Sequence, residues 1–89
     1  MKILVINSGS SSIKYQLFKM PEEKVICSGL VERIGIYDAK IHYKSNNHKI
    51  DDVTDIPNHK VGLKKIVDLL LDNKVGVIRS TSEIKAVGH

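Results

Sequence analysis

The chain has 89 residues, 42% hydrophobic and 27% charged, and carries a net charge of +4 at neutral pH. This allows one small domain with a modest core, which must be mostly aliphatic because there is one Phe, three Tyr and no Trp. The positive charge is spread along the chain as scattered lysines, without the basic stripe, stacking aromatics or recognition helix of a nucleic-acid binder, and no apolar run approaches the length of a membrane span.

The first element is a solid apolar run, Ile3-Leu4-Val5-Ile6, which predicts a strand over residues 2–7 buried on both faces. Ser8 to Ser12 form a turn made only of Ser and Gly. Ile13 to Phe18 then resume as a strand over 12–19, with Ile13, Tyr15 and Leu17 on one face and Lys14, Gln16 and Phe18 on the other. Met20-Pro21-Glu22-Glu23 is a turn with proline at its second position. A long strand over 24–35 follows, with Val25, Cys27, Gly29 and Val31 sharing a face. Gly29 inside it marks a bulge or a close backbone approach. Cys27 has no internal disulfide partner and reads as a small buried apolar side chain. Glu32 and Arg33 are exposed charges at the strand end.

Residues 39–45 alternate, with Ile41 and Tyr43 inward and His42 and Lys44 outward, and a short strand over 48–52 completes a hairpin through Ser45-Asn46-Asn47. A helix over 57–73 is announced by Asp55 or Asn58 as cap and by Pro57 in the first turn. Its apolar stripe is Leu63, Ile66, Val67, Leu70 and Leu71. Ser80 to Glu83 are a short helix or a loop, and Ile84 to Gly88 begin a last strand. The fold class is α/β: a mixed, largely antiparallel sheet with a covering helix.

The stretch with chemical potential is Asn7-Ser8-Gly9-Ser10-Ser11-Ser12-Ile13-Lys14. A Gly-Ser turn presents backbone N–H groups with little side-chain bulk, serine hydroxyls add donors, and Lys14 adds a positive charge. Asn7 offers an amide to a hydrated metal or a phosphate oxygen. Such a loop suits nucleotide phosphates; a plain polar hairpin loop is the alternative. Neither the Walker A pattern nor the three-glycine dinucleotide fingerprint is present. The four histidines, His42, His48, His59 and His89, show no metal-ligand spacing and no acidic cluster beside them, and no serine has an identifiable base.

The segment Ile3 to Tyr15 (ILVINSGSSSIKY) resembles the N-terminal signature of the acetate kinases. Gly29-Leu30-Val31-Glu32-Arg33-Ile34-Gly35, the helix with His59 just inside its start, and Ile84 to His89 agree in order and spacing, so the resemblance covers essentially the whole chain. It implies the actin-like and sugar-kinase ATPase fold (ribonuclease H-like), with residues 1–89 an incomplete N-terminal lobe. It implies reversible phosphoryl transfer between ATP and acetate, giving ADP and acetyl phosphate, with Mg²⁺, in a cytoplasmic homodimer without nucleic-acid or membrane partners. Asn7 then matches the Mg²⁺ position, Lys14 an ATP position, and Ser10 and Ser12 supporting loop hydroxyls. The family's acetate-contacting arginine, and the aspartate, histidine and second arginine of its transition state, fall beyond residue 89. The expectation is therefore a truncated chain, inactive alone, from a kinase. A free-standing nucleotide-binding module and a fragment of a propionate or butyrate kinase are the competing readings.

Overall fold

The computed structural model describes residues 1–88. Its elements are β1 (Lys2–Ser8), β2 (Ile13–Lys19), β3 (Lys24–Glu32), β4 (Ala39–Ser45), β5 (Lys49–Thr54), α1 (His59–Leu71), a 3₁₀ turn (Thr81–Glu83) and β6 (Ile84–Gly88). The strands form one sheet in the order β5-β4-β3-β2-β1-β6. β1 to β5 are an antiparallel meander, and β6 returns to lie parallel to β1. The mixed α/β class expected from the sequence is the one found.

The core lies between α1 and one face of the sheet. Alternation in β2 and β4 sends Ile13, Tyr15, Leu17, Ile41 and Tyr43 to that face, where all are buried. α1 starts where Asn58, in an extended conformation, accepts the N–H of Val61 on its side chain at 2.9 Å. It ends at Asp72, whose carboxylate collects the N–H groups of Lys74 and Val75. These two bonds, the Lys74 one first, hold the Asp72 carboxyl below the ordinary carboxylate range. Next, Ser80 and Glu83 form a reciprocal capping box around the 3₁₀ turn. Glu83 accepts the N–H of Arg79 and an ion pair from Lys2 in β1, which draws its pKa down to about 2 and fastens the entry to β6.

Several sequence expectations change. α1 is shorter than 57–73, and Pro57 precedes the cap instead of lying in the first turn. Its buried stripe is Gly62, Ile66 and Leu70, while Leu63 is exposed. The stripe turns so that Gly62 faces the core, where an added Cβ would lie 3.2 Å from the Ile13 side chain. β3 stops at Glu32, since Arg33 takes a left-handed φ of 60°. The irregularity in β3 is at Ile26, where the pairing with β2 skips a residue; Val25 is thereby turned out to solvent. Ser8 belongs to β1, so the Gly-Ser turn is residues 9–12. The turn at 20–23 contains a cis Met20–Pro21 bond. Finally, β1 is not buried on both faces: only Leu4 is fully covered, because α1 lies on one side.

Gly29 is the close approach. Tyr15 lies across it, and the Tyr15 hydroxyl donates to the carbonyl of His42 in β4 at 2.9 Å. Burial pushes the Tyr15 phenol well above its ordinary pKa, and Cys27 beside it up to about 11, so both remain neutral core groups. Gly29→Ala should destabilise the protein by about 1–3 kcal/mol, because the new methyl overlaps the Tyr15 ring and the β4 backbone. Tyr15→Phe should cost less, about 1 kcal/mol for one hydrogen bond. Urea denaturation ranks the two; a Gly29→Ala protein as stable as the parent would contradict this packing.

Candidate functional site

The antiparallel register of β1 and β2 decides the geometry of the site. Asn7 stands directly opposite Lys14, and Ser8 opposite Ile13. Opposed residues share a face of the sheet, so Asn7 and Lys14 project together on the side away from α1. Both are exposed, and among the described residues Lys14 belongs to no ion pair. The structure thus brings these two predicted residues together at the foot of the loop. Ser10 is exposed at the tip of the loop, and Ser12 is half-buried at its base.

Three hydrogen bonds shape the loop. The N–H of Gly9 donates to the carbonyl of Ser12 at 2.8 Å, and the N–H of Ile34 to the carbonyl of Ser11 at 2.9 Å. His59, the first residue of α1, places Nε2 at 2.7 Å from the carbonyl of Gly9. A carbonyl only accepts, so this Nε2 carries the proton. A Cβ at Gly9 would sit 2.8 Å from the Ser12 hydroxyl, so any larger residue there would oblige that side chain to rotate away.

The donor set fits a phosphate chain. The loop offers small side chains, three serine hydroxyls, backbone N–H groups and one lysine charge at its foot. For a divalent cation the fit is narrower. Among the described residues no three His, Cys, Asp or Glu side chains gather as a metal holder. Asn7 alone suits one oxygen position on a water-rich ion such as Mg²⁺. His89 lies outside the described residues.

The same open face carries a group that the linear sequence does not reveal. Pairing sets Asn7, Lys14, Leu30, His42 and Asp51 in one row across five strands. His42 is held from both sides: Nδ1 lies 2.6 Å from Asp51 and Nε2 2.7 Å from Glu32. The expectation that no acidic cluster stands beside the histidines is corrected at His42, which two carboxylates flank, although no metal-holding group forms among the described residues; Glu32, expected as an exposed charge at the strand end, is one of the two partners. The signal was the outward position of His42, but its partners appear only once the register is known. A shallow groove of about 390 Å³ runs along this row, lined by Lys14, Gln16, Leu30, His42, Lys44 and Asp51 among others.

Residues 2–89 match the acetokinase family. The chain belongs to that family. It is 56% identical over 89 residues to an acetate kinase of Flavobacterium johnsoniae and 52% identical to one of Thermotoga petrophila, covering all of this chain but 23% and 22% of those proteins. A crystal structure of Porphyromonas gingivalis acetate kinase superposes with a TM-score of 0.92 at 40% identity, over 99% of this chain and 22% of that one. A propionate kinase from Francisella tularensis gives 0.81 at 28% identity, over 98% and 21%. The chain thus spans less than a quarter of the length of these acetokinase-family relatives, and its fold is that of the actin-like ATPases to which they belong. No helix among the described residues is long and apolar enough to cross a membrane.

The two carboxylates give His42 a definite pH signature. Hydrogen bonding to Asp51, then to Glu32, raises the His42 pKa, and His42 in turn lowers that of Asp51. The histidine contribution is complete below its unfolded pKa of 6.5 and is lost as pH rises through the raised folded value. The Asp51 contribution is present above its unfolded value of 3.8 and is lost as pH falls through the lowered one. The stability gap between the parent and His42→Gln, followed as a urea midpoint, should be widest near about pH 5.5 and shrink towards about pH 9. A gap that does not change with pH would show that the cluster holds no charged pair.

Proposed function

We propose that this chain is part of the N-terminal lobe of an acetate kinase, which transfers a phosphoryl group reversibly between ATP and acetate with Mg²⁺. The observation that carries the reading is the opposed pair Asn7 and Lys14 beneath a Gly-Ser loop, in a chain that matches the acetokinase family from residue 2 to residue 89. Bound Mg·ATP supplies the transferable phosphoryl group. The residues here have positioning and charge work, which is most of what phosphoryl transfer asks of a protein. The Lys14 ammonium neutralises negative charge on phosphate oxygens. The N–H groups and hydroxyls of Ser10 and Ser12 donate to them. Asn7 would offer its amide oxygen to the hydrated cation that accompanies the nucleotide. Each of these interactions gains strength as charge develops, provided the donors are already in place.

The groups that bind acetate and serve the transition state would come from outside these residues, so the 89-residue chain alone should form no acetyl phosphate. The whole enzyme would act as a cytoplasmic homodimer on small molecules, without nucleic-acid or membrane partners. A propionate kinase is the second reading, favoured by the Francisella tularensis match, though that match is the weaker of the two in TM-score and identity.

In the full-length enzyme, Lys14→Ala should lower kcat/KM for ATP by about a hundredfold or more. Asn7→Ala should raise the Mg²⁺ concentration needed for half-maximal rate. Coupled assays of acetyl phosphate formation read both, and Lys14→Ala activity at the parent's level would remove the phosphate role. In the same assay kcat/KM should be higher for acetate than for propionate or butyrate; a preference for propionate would install the second reading.

A further inference from the structure

Resting on the reading of residues 9–12 as the phosphate loop, we propose that His59 is a positioning residue: it holds the Gly9–Ser10 peptide so that the Ser10 N–H, and not the Gly9 carbonyl, faces the nucleotide phosphates.

The inference comes from the direction of peptide planes. In a trans peptide the carbonyl of one residue and the N–H of the next point to opposite sides. The Gly9 carbonyl is drawn to His59 Nε2 at 2.7 Å, so the Ser10 N–H is turned away from α1. The Ser11 carbonyl is drawn to the N–H of Ile34 at 2.9 Å, so the Ser12 N–H is turned away from the segment after β3. Carbonyl dipoles would repel a phosphate; those of Gly9 and Ser11 are taken up by donors of the protein body, and that of Ser12 by the Gly9 N–H. Of these ties, the one to Ile34 is backbone, and the one to His59 is the single side-chain clamp on the loop among the described residues.

The clamp also has a fixed footing. His59 is the residue after the Asn58 cap, so its backbone position is set by the start of α1. One turn further on, Gly62 presses that helix onto Ile13, the first residue after the loop. Loop and clamp are thus gauged from the same contact. Without the clamp, a run of Gly and Ser has little in its own side chains to resist a peptide flip.

The test uses the full-length enzyme with His59→Phe, which keeps a ring and removes the donor, and His59→Gln, whose amide N–H₂ can replace Nε2–H. Lys14→Ala serves as the reference for the phosphate reading. Three quantities are measured for each: kcat and KM for ATP and acetate, the calorimetric Kd for a non-hydrolysable ATP analogue with Mg²⁺, and the thermal midpoint. His59→Phe should weaken analogue binding and kcat/KM for ATP by about tenfold to a hundredfold, with the acetate KM and the thermal midpoint little changed. His59→Gln should recover most of the loss. Should His59→Phe fail to fold, His59→Asn, whose amide is too short to reach Gly9, takes its place against Gln. If Lys14→Ala weakens the analogue and His59→Phe does not, the positioning role is wrong and the phosphate loop stands. If neither weakens it, the phosphate reading itself fails. A loss that follows the thermal midpoint, falls equally on ATP and acetate, and is not restored by Gln would make His59 merely structural and overturn the proposal.

Discussion

The antiparallel pairing of β1 with β2 is the constraint from which the rest of the molecule follows. It runs from Lys2 opposite Lys19 to Ser8 opposite Ile13, and leaves residues 9–12 to turn the chain. Because side chains alternate, a slip of one residue in β2 would bring Lys14 to the α1 face and expose Ile13. The buried ladder of Ile13, Tyr15 and Leu17 forbids that slip. The hydrophobic core thus fixes the position of a surface lysine, and the site borrows its accuracy from packing on the other side of the sheet.

The two faces of the sheet accordingly have different tasks. The α1 face is dense and apolar, and its polar atoms are spent internally, as with the Tyr15 hydroxyl on the His42 carbonyl and the Tyr43 hydroxyl on the Val75 carbonyl. The opposite face bears a row of Asn7, Lys14, His42 and Asp51 with only Leu30 among them. His42 joins the two faces: its backbone carbonyl receives Tyr15 from the core side, while its imidazole bridges Glu32 and Asp51 on the open side.

Much of this was legible in the sequence. Strict alternation places the inward residues of β2 and β4, turn chemistry separates the meander strands, and Asn58 is a capping residue by type. A glycine inside a strand, as at Gly29, signals a close approach, and one is found there. The misses have specific causes. Gly62 carries no hydrophobic signal, so apolar periodicity runs the helix stripe through Leu63, whereas the residue that faces the core is the glycine beside Ile13. The left-handed turn at Arg33 ended β3 early, and nothing in an arginine forecasts it. The apolar run of β1 suggested cover on both faces, but composition cannot say how many layers a given stretch of chain provides. The loop was visible as a motif, whereas its clamp was not: His59 and Gly9 lie 50 positions apart, and only the folded chain brings them together.

The parallel pairing of β6 gives the sheet one shared rim. Strands that run in parallel finish on the same side, so Gly88 comes out beside Ile6, one residue short of Asn7. β2 begins at that rim too, with Lys14 opposite Asn7. Segments from the two ends of the sequence are thus delivered to one border of the sheet, where the loop of residues 9–12 also lies.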